Sequence, residues 1–270
     1  MNEVIKFYRL SNLLSLDVAS GAVIGSIFFS KIYEVPVSYP SLISLGLTVW
    51  IIYTADRLLD VQDVEGDAAS GRHRFHQRNQ KKLKYGVLMA TFADVSLISF
   101  IPTEVIRHGM FLLGVVVVYI VLRRKLHISK ELLVAILYTA GLLLPAWPED
   151  QMILIQYLPI LVFFLIAFTN LIIFSWYEKE NDLKEKQDSI ATLVDETSIR
   201  FMIIGLVVVS FSISLYLFFI TAYHFIGLVF IAMIMILLMI FKCKKYFTPS
   251  EYYRLVGDAV FLFPIIYIPS

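Results

Sequence analysis

Apolar runs long enough to cross a lipid bilayer recur along the whole of this chain, and that recurrence constrains its fold more than any other feature. About 20 apolar residues rise roughly 30 Å as an α-helix, which matches the hydrocarbon thickness. In that medium every backbone N–H and C=O must find a partner within the protein, so only helices and closed barrels span it. No period-two alternation runs through these segments, which excludes a barrel. Composition agrees. Hydrophobic residues make up 59% of the 270 and charged residues 17%, with a mean hydropathy of +0.76, whereas soluble domains carry about 25% charge. Nine spans are expected, at 12–33, 40–60, 84–101, 105–122, 132–147, 152–176, 199–220, 222–241 and 251–268. The chain reads as an all-α polytopic membrane protein, a single domain over residues 1–270.

Charge orients the spans. With nine of them, the N-terminus and the even-numbered loops share one side, and 21 of the 23 Lys and Arg residues lie there; only Lys31 and Arg107 lie opposite. Basic residues are retained on the cytoplasmic side, so the N-terminus is expected in the cytoplasm of a bacterial cytoplasmic membrane. Lys6 and Arg9 precede the first apolar run, which contains Asp17 and continues too far for a cleaved signal. It is expected to remain as the first helix. Cys243 is the single cysteine, so neither a disulfide framework nor a paired-cysteine metal site is expected. The lipid bilayer is the expected surroundings and no nucleic acid is an expected partner. Oligomeric state has no signature here.

Two acidic segments interrupt this apolar background at matching places. The first, Asp56-Arg57-Leu58-Leu59-Asp60-Val61-Gln62-Asp63-Val64-Glu65-Gly66-Asp67, ends the second span. The second, Glu178-Lys179-Glu180-Asn181-Asp182-Leu183-Lys184-Glu185-Lys186-Gln187-Asp188, ends the sixth. Positions 56, 60, 63 and 67 would share one stripe of a continuing helix, as would 178, 182 and 185, unless Gly66 ends the first helix earlier. Like charges at this spacing repel and call for a counter-cation. All-oxygen donors suit Mg²⁺, which commonly bridges one or two carboxylates to substrate phosphates. Both segments are expected on the cytoplasmic face.

Basic residues lie close by. Arg72-His73-Arg74-Phe75-His76 and Arg78 follow the first segment, and Lys184 and Lys186 interleave with the second. Guanidinium groups match phosphate oxygens as a bidentate fork, and lysines act as mobile point charges. Lys81, Lys82 and Lys84 are read as topology signals. Within the spans, Asn170 lies two turns deeper than Glu178 on a similar face and is expected to line a cavity. Arg254 and Asp258 are spaced for an i,i+4 ion pair, and Gly21 with Gly25 for close helix packing. Asp17 and Asp94 have no evident role.

With these motifs in place the chain resembles the UbiA superfamily of intramembrane prenyltransferases, which have nine transmembrane helices and Asp-rich motifs after helices 2 and 6. Here Asp56-Arg57-Leu58-Leu59-Asp60-Val61-Gln62-Asp63, then Arg72-His73-Arg74, stands for the first motif. Glu178 through Asp182, then Ala191-Thr192-Leu193, stands for the second. The resemblance covers essentially the full length. It departs where Arg57 takes the place of the family's first Asp, where Asp63 is displaced, and where Glu178 replaces an Asp.

The resemblance implies Mg²⁺-dependent transfer of an isoprenyl group from an allylic diphosphate to an aromatic or lipid acceptor. It implies two Mg²⁺ ions held by Asp56, Asp60, Asp63, Glu178, Asp182 and Asp188, with Asp60 and Asp182 central to catalysis. Arg57, Arg72, Arg74, Lys184 and Lys186 are the implied diphosphate contacts, and Asn170 lines the cavity. Three rivals are weighed against it. A phosphatidyl-group transferase would need Asp-Gly, Ala-Arg and a further Gly and Asp pattern that Glu65-Gly66-Asp67-Ala68 does not supply. A transporter would place its charge at the midplane rather than at one face. A non-catalytic isoprenoid-binding relative is suggested by Arg57 and the displaced Asp63.

Overall fold

The computed structural model describes residues 3–62, 66, 68–122, 130–148, 152–185, 187–220 and 222–268. Asp63, Glu65, Asp67 and Lys186, singled out above, lie outside the described residues. The described residues are helical and contain no strand. α1 (Glu3–Leu13), α2 (Leu16–Tyr33), α3 (Tyr39–Asp60), α4 (Gly71–Leu97), α5 (Thr103–Leu122) and α6 (Lys130–Leu143) form the first half. α7 (Leu158–Lys184), α8 (Ile190–Leu193), α9 (Glu196–Ile220), α10 (His224–Lys242), α11 (Lys244–Phe247) and α12 (Tyr252–Ala259) form the second. A 3-10 helix, Val260–Tyr267, continues α12.

Among the described residues seven helices are long and apolar enough to cross a membrane: α2, α3, α4 with its 3-10 extension, α5, α7 with its leading turn, α9 and α10. The two remaining expected spans are broken. α6 has 14 residues and gives way to a 3-10 turn at Leu144–Ala146, because Pro145 has no N–H to continue the helix. α12 has 8 residues and passes into the 8-residue 3-10 helix containing Pro264. A 3-10 helix rises about 2.0 Å per residue against 1.5 Å for an α-helix. Together these two pieces reach about 28 Å, close to the ~30 Å hydrocarbon core.

Local chemistry sets the boundaries. Ser38 caps α3 by accepting from Ser41 N, with Pro40 in the first turn. Ser70 caps α4 through His73 N at 3.1 Å. That cap starts α4 at Gly71, so the basic stretch before Lys84 is helix rather than loop. α1 and α2 are separated by Ser15, which has the left-handed φ of 58°. The break orphans carbonyls that an unbroken helix would use, and α3 satisfies them: Trp50 Nε1 donates to Leu14 O at 2.8 Å.

α7 is the central element. Of its most apolar stretch 67% is buried, against 6% for α4, which faces the lipid side of the bundle. Edge-to-face rings fill the middle, where Phe28 meets Phe29, Phe230 and Tyr267, and Phe163 meets Phe29 and Phe261. These rings are core packing. Gly21 and Gly25 do permit close approach. A Cβ at Gly21 would lie 2.9 Å from Phe261 Cβ, and one at Gly25 would lie 3.3 Å from Leu142 Cδ2.

A close approach to backbone joins α9 to α10. A Cβ at Gly227 would lie 2.6 Å from Phe218 N and 2.7 Å from Ser214 O, both backbone atoms that cannot rotate away. Gly227→Ala is expected to cost about 1–3 kcal/mol, the range for overpacking. Gly205→Ala, where no atom lies within 4 Å of the added Cβ, is expected to be neutral or stabilising. Thermal unfolding in detergent compares the two; equal losses would contradict the assigned packing.

Candidate functional site

One end of the bundle gathers the C-terminal ends of α3 and α7 with the N-terminal ends of α4, α6 and α12. Between them lies a cavity of about 160 Å³. Asp56, Arg57, Asp60, Arg72, His73, Lys130, Glu131, Glu178, Asp182, Asp188, Arg254 and Asp258 line it, with Asn170, Tyr53, Tyr138, Phe174 and Phe261 on its deeper walls. Both acidic segments, more than a hundred residues apart in sequence, thus face one space.

The first segment contributes two helical carboxylates. α3 ends at Asp60; Asp63 and Asp67, expected on the same stripe, lie outside the described residues. Lys130, at the start of α6, places Nζ 3.5 Å from Asp56 Oδ2 and 3.1 Å from Asp60 Oδ2. Burial disfavours its charge, but the two carboxylates outweigh burial and hold Lys130 above the ordinary lysine range. Sequence reading placed Lys130 among the topology charges of a loop. No local signal marks it, because its partners come from another helix.

Arg57 has partners inside the protein. Its side chain borders the cavity, but Nη1 donates to Asn12 O at 3.3 Å and Leu13 O at 3.5 Å. It is 5% exposed. Both carbonyls lie at the break after α1, where Asn12 O also accepts from Ser15 N at 3.0 Å, so Arg57 braces that helix end as well as bordering the cavity.

Arg72 and Arg74 also separate. Two residues on a helix differ by about 200° in direction, so only one of the pair can face the cavity. Arg72 lines it. Arg74 turns outward and donates from Nη1 to Ala68 O at 2.9 Å and Ala69 O at 2.8 Å, bracing the loop before α4.

In the second segment the helical stripe holds through α7, but its members divide. Glu178, 9% exposed, receives Nε and Nη2 of Arg254 on its two oxygens, and the Tyr253 hydroxyl at 2.9 Å. Arg72 Nη2 lies 3.9 Å away. Glu178 thus holds a guanidinium while bordering the cavity, and Arg254 pairs across to α7 instead of with Asp258. Asp258 accepts from Asn12 Nδ2 at 2.8 Å, and the same amide reaches Asp17 Oδ2 at 2.5 Å. Those contacts give the buried Asp17 its place.

Glu185 pairs with His73 Nδ1 at 2.5 Å and accepts from Ala69 N at 2.6 Å, which ties the end of α7 to the start of α4. His73 is accordingly held by a carboxylate. Lys184 is exposed and does not border the cavity. Asp182 and Asp188 do, and no described ammonium or guanidinium lies within 4 Å of either. Asn170 is 2% exposed and its Oδ1 is buried without a hydrogen-bond partner. Among the described residues no three His, Cys, Asp or Glu side chains form a metal cage by themselves.

A second cavity, about 570 Å³ and mainly apolar, lies between α3, α4, α5 and α6. Tyr53, Asp56, Val134 and Tyr138 border both spaces. Its wall carries Asp94, whose Oδ2 accepts from Thr48 Oγ1 at 2.7 Å.

Removing one member of a buried ion pair leaves the other uncompensated, at a cost of about 3–5 kcal/mol. Arg254→Met is expected to fall in that range, and Glu178→Gln/Arg254→Met to recover most of the loss. Arg72→Met, at the longer distance, is expected to cost under about 1 kcal/mol. Denaturation midpoints of the three proteins in detergent measure this; equal losses for Arg254→Met and Arg72→Met would refute the pairing.

No protein-family model matches the chain, and no curated protein matches it either. A solved structure of digeranylgeranylglyceryl phosphate synthase, described in connection with its biosynthesis in membranes, is similar to it over 99% of both chains. The TM-score is 0.55 and the sequence identity 15%. At that identity the likeness is one of fold alone: over 99% of its length the chain shares the helical fold of that synthase, in line with the fold expected from its two acidic segments.

Proposed function

We propose that the chain transfers an isoprenyl group from an allylic diphosphate to a hydrophobic acceptor within the membrane. The observation that carries this reading is the junction of the two cavities. A small charged space, bordered by both acidic segments and by Arg72 and Lys130, lies against a larger apolar one, with Tyr53, Asp56, Val134 and Tyr138 in the wall of both. An isoprenyl diphosphate has the same division, a charged head joined to an apolar tail. The full-length fold likeness to a membrane synthase supports the same class.

The residues present fit a divalent cation. Apart from His73, which Glu185 holds, the donors are oxygen, and Asp182 and Asp188 have no cationic partner within 4 Å among the described residues. Asp182 and Asp188, facing Asp56 and Asp60, would hold Mg²⁺ with the diphosphate. Bound there, Mg²⁺ would stabilise the charge on the departing oxygens. Arg72 and Lys130 are placed to donate to those oxygens as the allylic C–O bond breaks, which is charge stabilisation by groups already in position.

The developing allylic cation meets the faces and edges of Tyr53, Tyr138, Phe174 and Phe261, and aromatic faces attract cations. A nucleophilic atom of the acceptor then bonds to the allylic carbon and loses its proton. The cytoplasmic face is assigned to this end of the bundle by the positive-inside distribution.

Internal pairing of Glu178 with Arg254, and of Asp56 and Asp60 with Lys130, favours one second reading, a binding-only isoprenoid protein. Diphosphate release by the purified protein separates the two, with C10 to C20 allylic diphosphates and aromatic and lipid acceptors, with and without Mg²⁺. Mg²⁺-dependent release coupled to a prenylated product is expected, and Asp60→Ala and Asp182→Ala should each lower it by about 10²-fold or more, as removal of transition-state stabilisers does. Both variants should still insert in the membrane. Saturable diphosphate binding without release would establish the binding-only reading.

A further inference from the structure

We propose that Lys130 takes the place of one divalent cation in this cavity, so that the chain holds a single metal ion, at its second acidic segment, where the resemblance implies two. The inference rests on the diphosphate reading of the cavity and goes beyond it by assigning which charges are supplied by the protein itself.

The first acidic segment is neutralised from within. Asp56 and Asp60 stand on successive turns of α3, and Lys130 Nζ lies 3.5 and 3.1 Å from their Oδ2 atoms. Mg²⁺ binds carboxylate oxygens at about 2.0–2.1 Å and requires a near-octahedral shell. An ammonium 3.1 Å from Asp60 Oδ2 occupies the face that such a shell would need and repels a dication beside it. Arg57 adds a second fixed cation to the same stretch, at the position where the resembled family has a carboxylate. The side chains of Asp56, Arg57, Asp60 and Lys130 therefore sum to no net charge.

The second segment is different. Arg254 neutralises Glu178, but Asp182 and Asp188 line the cavity with no described cation within 4 Å. The demand for a dication is thus concentrated on the α7 side. Lys130 is suited to a substrate-facing role as well. Its side chain is 36% exposed and on a flexible stem, so one of its three N–H donors can turn to a diphosphate oxygen while another stays with Asp60. A dication at that position offers no such exchange, and a lysine requires no metal to be present before the diphosphate arrives.

The test counts metal ions. Full-length protein in detergent is titrated with Mn²⁺ in the presence of inorganic pyrophosphate, and bound Mn²⁺ is read by electron paramagnetic resonance, with pyrophosphate affinity read by calorimetry. Wild type is expected to bind one Mn²⁺ per chain. Lys130→Met should bind two, or lose at least tenfold in pyrophosphate affinity at limiting Mn²⁺, and Lys130→Arg should retain one. Asp182→Asn should abolish Mn²⁺ binding, whereas Asp60→Asn should leave the count at one.

Two Mn²⁺ per wild-type chain would overturn the proposal without recourse to any variant, while leaving the diphosphate reading intact. An unchanged count and affinity in Lys130→Met would overturn it too. Wild type that bound neither Mn²⁺ nor pyrophosphate would overturn the diphosphate reading, and this proposal with it.

Discussion

Glu178 and Arg254 meet at the charged end of a bundle that is otherwise apolar, and much of the site's geometry depends on their pairing. α7 brings Glu178 to the cavity, and α12, the short helix that opens the last segment, brings Arg254. Neither charge is tolerable alone at this burial. Together they fix α12 against α7, stack Tyr253 on Tyr177, and leave Asp258 free to join Asn12 and Asp17 on the other side. The same economy of charge runs through the cavity. Arg57 serves the broken end of α1, Glu185 serves the start of α4, and Lys130 serves Asp56 and Asp60.

This pattern bears on function. Most of the cavity's charged groups have partners inside the protein; Asp182 and Asp188 border it with no described cation within 4 Å, and Arg72 stands 3.9 Å from Glu178. The proposed ligand, which bears negative charge and an associated cation, would meet those groups. The apolar cavity beside it supplies room for the rest of the molecule. Tyr53 and Tyr138, which border both spaces, stand where the charged and apolar parts of such a ligand would join.

Several features were legible from residues alone because they are local or periodic. The all-helical membrane class follows from apolar runs, and the convergence of the two acidic segments from their matching places at helix ends. Asn170 was readable from its spacing to Glu178. Others were not. Arg72 and Arg74 looked equivalent until a serine cap made their stretch helical and set them about 200° apart. Arg254 looked matched to Asp258 by spacing, yet a bidentate carboxylate on another helix held it more strongly. The fifth and ninth spans looked like ordinary helices, and Pro145 and Pro264 made them partly 3-10.

By itself the sequence determined the solvent and the helical class. The physical reason is that these follow from transfer of side chains and backbone between water and lipid, which each segment undergoes largely on its own. Only the tertiary structure decided which charge neutralises which. A carboxylate's partner depends on the three-dimensional neighbourhood, and here Lys130 reaches Asp60 across 70 positions of chain and Arg254 reaches Glu178 across 76. Those long-range pairings separate the side chains that hold the bundle together from the few left facing the cavity.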